Sequence, residues 1–103
     1  MYNLATIQEV ASFDGDLNDF LVNNTQYSKK AQKMSIEGIV KVKFVIEKDG
    51  SLSNIEIKKP VHKLLDSEAL RVVNKMQGKW KAGNHNGKPV RMSFVLPFVF
   101  KFE

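Results

Sequence analysis

The main determinant of the predicted fold is the segment Val90-Arg91-Met92-Ser93-Phe94-Val95-Leu96-Pro97-Phe98-Val99-Phe100-Lys101-Phe102. Apolar residues occupy every second position of this stretch, which is the pattern of a β-strand with one buried face. Pro97 lies in its middle and has no N–H group to donate to a neighbouring strand. The sequence therefore predicts a long strand at the edge of a sheet, where unpaired backbone groups are available to another chain.

A β-hairpin is predicted to supply the rest of the sheet. Residues 36–48 alternate between apolar and charged side chains, and Asp49-Gly50 is a strong turn signal. The return strand runs from Ser51 to Lys58. We expect a two-residue loop, which places Lys43 opposite Glu56 on the polar face of the sheet.

The main helix is predicted from Leu64 to Gln77, with Asp66 as its N-terminal cap and Gly78 as its stop. Because this helix returns the chain, a right-handed crossover places the last strand on the far side of the first. The predicted fold class is α+β, with two layers and a three-stranded antiparallel sheet in the order second, first, third. The helices cover one face, and the other face is expected to be polar and open.

Two short helices are predicted to join the main helix on the covered face. Asp16 begins the first over a short apolar stripe, and Ser28 caps the second, from Lys29 to Met34. Residues 1–14 form a lead-in segment. At this length, residues 1–103 are expected to form a single domain.

The composition limits the classes of function. The chain has 16 Lys and Arg against 11 Asp and Glu, a formal net charge of +5, and no cysteine. Basic residues are spread over helices, loops and sheet, so we favour an ordinary charged surface over a nucleic-acid footprint. A single-stranded nucleic-acid binder is the alternative from another class, but no aromatic residue is predicted on the open face for base stacking. No stretch approaches the ~20 apolar residues of a membrane span.

No catalytic motif is found. His62 and His85 lie in predicted loops and lack the spacing of metal ligands, so they are interpreted as surface histidines. No glycine-rich phosphate loop follows a strand, and no serine is arranged with a histidine and an acid. We predict that the protein is not an enzyme and has neither cofactor nor metal.

Several segments together form a specific pattern: Phe13-Asp14-Gly15-Asp16, Gln26-Tyr27-Ser28, Glu37-Gly38-Ile39-Val40, Asp49-Gly50, Leu64-Leu65-Asp66-Ser67-Glu68-Ala69-Leu70-Arg71-Val72-Val73, Trp80-Lys81-Ala82-Gly83 and Asn86-Gly87-Lys88-Pro89-Val90. Through them, nearly the whole chain resembles the C-terminal domain of TonB, in the form common in Bacteroidetes energy transducers. The family usually has proline where this chain has Ser28 and Ala82.

The resemblance implies a periplasmic domain of a protein anchored in the inner membrane, with the anchor outside this chain. It implies an ExbB–ExbD motor that acts through that missing N-terminal region. It also implies an outer-membrane transporter as partner, whose extended TonB-box peptide is bound by β-strand addition. A related alternative is the TonB-like tail of a larger envelope sensor or peptidase-type protein.

The edge strand and the resemblance together predict the partner-binding residues. The strand contributes Val90, Arg91, Met92, Ser93, Phe94, Val95 and Leu96, and the family region near the transporter plug corresponds to Gln26 and Tyr27. A homodimer formed by strand exchange is a further expectation for such an edge.

Overall fold

The computed structural model describes residues 11–101, and its central feature is a three-stranded antiparallel sheet. The elements follow one another as β1 (Ser12–Phe13), α1 (Leu17–Asn24), α2 (Lys29–Lys33), β2 (Gly38–Ile46), β3 (Leu52–Lys59), α3 (Lys63–Asn74), β4 (Trp80–Lys81), β5 (Gly83–His85), β6 (Lys88–Val90) and β7 (Met92–Phe100). The strand order is β3-β2-β7, while β1 pairs with β4 and β5 pairs with β6. The predicted α+β class and strand order are confirmed. Residues 1–10 of the predicted lead-in lie outside the described residues, and β1 follows them.

The hydrophobic core lies between the three-stranded sheet and α3. The inner face of β2 is fully buried at alternate positions, as its period of two predicts. One stripe of α3 packs against it with the spacing of an amphipathic helix. The residues concerned are Val40, Val42, Phe44 and Ile46 of β2, and Leu65, Ala69, Val72 and Val73 of α3.

The loop between β2 and β3 is longer than predicted. The N–H of Glu47 donates to the carbonyl of Ser51 over 2.8 Å, which leaves residues 48–50 as a three-residue loop. Gly50 has a φ of 85°, the left-handed conformation that such loops require at their last position. The prediction of a two-residue loop was therefore wrong.

A β-bulge in β3 compensates for the longer loop. Val45 lies opposite Ser53 and Lys43 lies opposite Glu56, so β3 has one residue more than β2 between these two pairs. Asn54 lies in this interval with a φ of 50°. The extra residue restores the register, and the predicted pairing of Lys43 with Glu56 is correct although the predicted loop is not.

The cap of α3 differs from the prediction. The Nδ1 atom of His62 accepts a hydrogen bond of 3.1 Å from the N–H of Leu64, so His62 is the N-cap. Asp66 instead accepts from the N–H of Val61 over 3.0 Å, which ties the preceding segment to the first turn of the helix. His62 thus has a structural role where we expected a surface histidine. The caps of α1 and α2, Asp16 and Ser28, are as predicted.

The predicted last strand is divided into two strands. Asn86 and Gly87, with φ values of 53° and 77°, turn the chain between β5 and β6, and Val90 pairs with Gly83. Arg91 lies between β6 and β7, so β7 begins at Met92 and not at Val90. The β5–β6 hairpin was not predicted, because its strands are three residues long and mostly polar.

Candidate functional site

One edge of β7 has no partner strand among residues 11–101. On its other edge, β7 pairs with β2 without interruption from Met92 to Phe100, and Pro97 lies opposite Lys41. Because proline cannot donate, an unbroken ladder requires the backbone of Pro97 to point away from β2. Backbone direction alternates along a strand, so Ser93, Val95 and Val99 present their N–H groups to the free edge as well.

The side chains of β7 follow the same alternation. Met92, Leu96, Phe98 and Phe100 are buried toward the helices. On the opposite, open face, Val95 and Val99 keep 43% and 63% of their surface exposed. The free backbone groups of the edge are thus accompanied by exposed aliphatic side chains, a combination that favours pairing with another strand.

A groove of about 350 Å³ runs between α1 and the C-terminal half of β7. Its α1 wall includes Leu21 and Val22, and the latter is 71% exposed. Thr25 and Tyr27 close it near the end of α1, and residues 97–101 form the opposite wall. An extended chain added to the edge of β7 would have this largely apolar groove on its helix-facing side.

The ring of Tyr27 supports the groove at its inner end. It packs against Phe100 with ring centroids 5.7 Å apart and an interplanar angle of 75°. Its hydroxyl donates to the carbonyl of Ile36. Burial, with a smaller effect from Glu37, raises the pKa of Tyr27 above its usual 10.0, so the hydroxyl stays protonated at neutral pH and can donate. Tyr27 therefore stabilises the fold in addition to lining the groove.

Gln26, the other residue predicted in this region, has an exposed side chain. Its backbone N–H donates to Oε2 of Glu68 over 2.6 Å. Arg71 donates from Nε to Oε1 and from Nη2 to Oε2 of the same carboxylate, each over 2.7 Å. Burial raises the pKa of Glu68, but these hydrogen bonds outweigh it and leave the pKa below its usual 4.5.

Glu68 and Arg71 were not among the residues predicted to form the site. They are three positions apart on α3 and thus form a possible ion pair on any helix. Their contact with a segment more than forty positions earlier is a tertiary feature, and a single sequence has no signal for it.

Arg91, predicted to contact a partner, is engaged within the chain. Its Nε donates to Oε1 of Glu47 over 2.6 Å, and Nη2 donates to Oε2 over 3.2 Å. Hydrogen bonds from Arg91 and then from Ser53 lower the pKa of Glu47 below its usual 4.5. An acidic partner group would have to compete with Glu47 for this guanidinium.

The remaining predicted strand residues contribute to packing through their side chains. Val90 is buried beside β5, and Met92 and Leu96 are buried toward the helices. Phe94 lies 5.3 Å from the ring centroid of Trp80 and 5.7 Å from that of Phe44. Of the seven strand residues predicted, only Ser93 and Val95 combine an outward-pointing N–H with a side chain on the open face.

Two kinds of feature are not found in the described part of the chain. Within residues 11–101, no His, Cys, Asp and Glu side chains cluster as three or more potential metal ligands. No helix in this range is both long and apolar enough to cross a membrane.

Comparisons with known proteins agree with this architecture. The family of the Gram-negative bacterial TonB protein C-terminal domain matches residues 23–102. The solution structure of the Pseudomonas aeruginosa TonB C-terminal domain has a TM-score of 0.59 and 27% identity, and the match covers 100% of this chain and 95% of that one. A solution structure of the Helicobacter pylori TonB C-terminal domain has a TM-score of 0.60 and 25% identity, over 84% of this chain and 78% of that one.

A search of curated proteins finds no match. The structural comparisons do not test the Bacteroidetes form, which stays a prediction. The match to the family covers most of the chain, and the two solution structures share its fold with TM-scores of 0.59 and 0.60. The chain therefore belongs to the family of TonB C-terminal domains.

Proposed function

We propose that this domain binds the extended TonB-box peptide of an outer-membrane transporter along the free edge of β7. The observation that carries the proposal is that, among residues 11–101, β7 pairs on one side only and has the groove beside its C-terminal half. Strand addition would give affinity through backbone hydrogen bonds and specificity through alternate side chains. The family supports a role in energy transduction from the periplasmic side, as a protein-interaction domain and not an enzyme.

Two contacts within the chain favour a docking segment that lies further toward the C-terminal end of β7 than the predicted Val90–Leu96. Val90 is paired within the β5–β6 hairpin, and Arg91 is engaged by Glu47. The proposed segment therefore runs from Ser93 to Val99, where backbone groups point outward at every second residue. Pro97 removes one donor from this row, so a bound peptide keeps its hydrogen bonds on either side of that position and loses one there.

The other edge of the sheet is a poorer site for an added strand. β3 carries a bulge at Asn54, and a second register shift lies where it pairs with Lys41 and Val42. Lys58 and Lys59 end the strand and are exposed. Bulges and lysines are features that discourage strand addition, whereas β7 pairs with β2 along its whole length without a register shift.

The experiment is an NMR titration of the isotope-labelled domain with a synthetic TonB-box peptide. We expect the largest amide shifts at Ser93, Val95 and Val99 and at the residues of the groove. Val95→Pro removes the N–H that position 95 directs toward the free edge. The fold already accommodates a proline at position 97, whose backbone points in the same direction. The variant should weaken peptide binding by about tenfold or more.

Val95→Thr is the matched control, because threonine is also β-branched and keeps the N–H. It should bind the peptide with close to parental affinity. Shifts that map to β3, or equal binding by the Pro and Thr variants, would show that the peptide does not pair with this edge.

A further inference from the structure

The segment that joins α1 to α2 is attached to α3 through its backbone. Arg71 Nη2 donates to the carbonyl of Asn24 over 2.7 Å, and the Gln26 N–H donates to Glu68 Oε2 over 2.6 Å. Lys75 adds a contact of 3.3 Å from its ammonium group to Oδ1 of Asn24. Two of these three contacts are made to main-chain atoms, so they fix the path of the segment.

This segment forms part of the groove. Thr25 lies between the two attached residues, and Tyr27 follows them; both line the groove beside β7. α1 has no fully buried residue, although Leu17, Phe20 and Leu21 pack against the core while remaining partly exposed. The attachment at its C-terminal end therefore helps to set the distance between the α1 wall and the edge of β7.

We infer that Glu68 and Arg71 are positioning residues of the docking groove: they hold residues 24–26 so that the α1 wall stands at a fixed distance from β7. The consequence for peptide affinity rests on the proposed function. The attachment itself does not, because it is a property of the free domain.

The geometry distinguishes this pair from an ordinary surface ion pair. An exposed pair of residues three apart on a helix contributes little to stability. Here the Glu68 side chain is only 14% exposed and accepts hydrogen bonds from Arg71 and from the Gln26 N–H. Charge-assisted hydrogen bonds of this kind are short and directional, and they suit the task of fixing a backbone segment.

A charge swap separates positioning from simple ion pairing. In the double variant Glu68→Arg with Arg71→Glu, an ion pair between the two positions can still form on α3. However, arginine at position 68 cannot accept from the Gln26 N–H, and glutamate at position 71 cannot donate to the Asn24 carbonyl. If the two residues act only as an ion pair, the swap should restore the protection of the Gln26 amide and the peptide affinity that either single substitution loses.

We expect the swap to keep α3 folded while the Gln26 amide loses its protection. Hydrogen exchange at this amide should become about tenfold faster or more, because its acceptor is gone. The affinity for a synthetic TonB-box peptide should fall by roughly threefold to tenfold, as expected when a binding groove is less preorganised. Glu56→Ala, on the far strand β3, is the control and should leave both quantities unchanged.

If the Gln26 amide exchanges as slowly in the swapped variant as in the parent domain, the inference is wrong, regardless of the affinity for the peptide. Faster exchange with unchanged peptide affinity would overturn the link between the attachment and the groove. If the parent domain does not bind the peptide at the edge of β7, the proposed function fails, and the exchange measurement still decides whether Glu68 and Arg71 position the segment.

Discussion

The Nε atom of Arg91 lies 2.6 Å from Oε1 of Glu47, and this ion pair joins the β2–β3 loop to the bend between β6 and β7. The two residues are 44 positions apart and meet because β2 and β7 are antiparallel neighbours. Ser53 donates to the same carboxylate from β3. One glutamate thus connects β3 and the bend before β7 to the end of β2.

This ion pair predicts a specific pH dependence. The pKa of Glu47 is lowered in the folded state, mainly by the hydrogen bond from Arg91, so its stabilisation is present above pH 4.5 and is lost as the pH falls through the lowered pKa. Arg91→Gln should reduce the difference in melting temperature between pH 7 and pH 3. The exposed neighbour Lys48, changed to Gln, serves as the charge-matched control. An equal acid effect in both variants would contradict the assignment.

Gly50 is predicted to tolerate no side chain. Its φ is 85°, and a Cβ atom there would lie 2.3 Å from the carbonyl oxygen of Trp80. Gly87 has a similar φ of 77° but no atom within 4 Å of the corresponding position. Gly87→Ala should cost about 1–2 kcal/mol from backbone strain alone, and Gly50→Ala should cost clearly more. Urea denaturation compares the two; equal losses would mean that the contact with Trp80 relaxes without cost.

Trp80 is predicted to be the most sensitive aromatic residue of the core. Its ring centroid lies within 5.6 Å of the rings of Phe13, Phe44 and Phe94, so it connects β1, β2 and β7. Trp80→Ala should lower the free energy of unfolding by about 3–5 kcal/mol. Trp80→Phe keeps a ring in place and should lose less. Denaturant titration measures both, and similar losses would argue against the ring contacts as the cause.

The pair Gln26 and Tyr27 should separate binding from stability. Gln26 uses only its backbone N–H within the described residues, so Gln26→Ala should leave the melting temperature unchanged. The family resemblance places Gln26 near the transporter plug, so the same substitution should weaken binding to a transporter. Tyr27→Phe removes the hydroxyl that donates to Ile36 and should cost about 1 kcal/mol of stability. Calorimetry and peptide titration on both variants test this, and a destabilised Gln26→Ala would assign that side chain a structural role.

Much of the fold follows from local patterns in the sequence. The alternation in 36–48 and 90–102 determines which faces of β2 and β7 are buried, because side chains in a strand point to opposite sides in turn. The crossover rule then fixes the strand order. Pro97 marks β7 as an edge strand, since a proline in a central strand would break a ladder.

Other features depend on contacts between distant residues. The loop before Ser51 and the bulge at Asn54 each shift the register by one residue, and their effects cancel only when both strands are paired. Glu68 accepts from the N–H of Gln26 and Arg91 donates to Glu47, and in each case the two residues are more than forty positions apart. The buried faces, the edge strand and the strand order could be predicted from the sequence alone, because they are set by short-range periodicity and chain connectivity. The groove, its attachment to α3 and the engagement of Arg91 were decided by the tertiary structure, because hydrogen bonds between distant segments form only where packing brings them within about 3 Å.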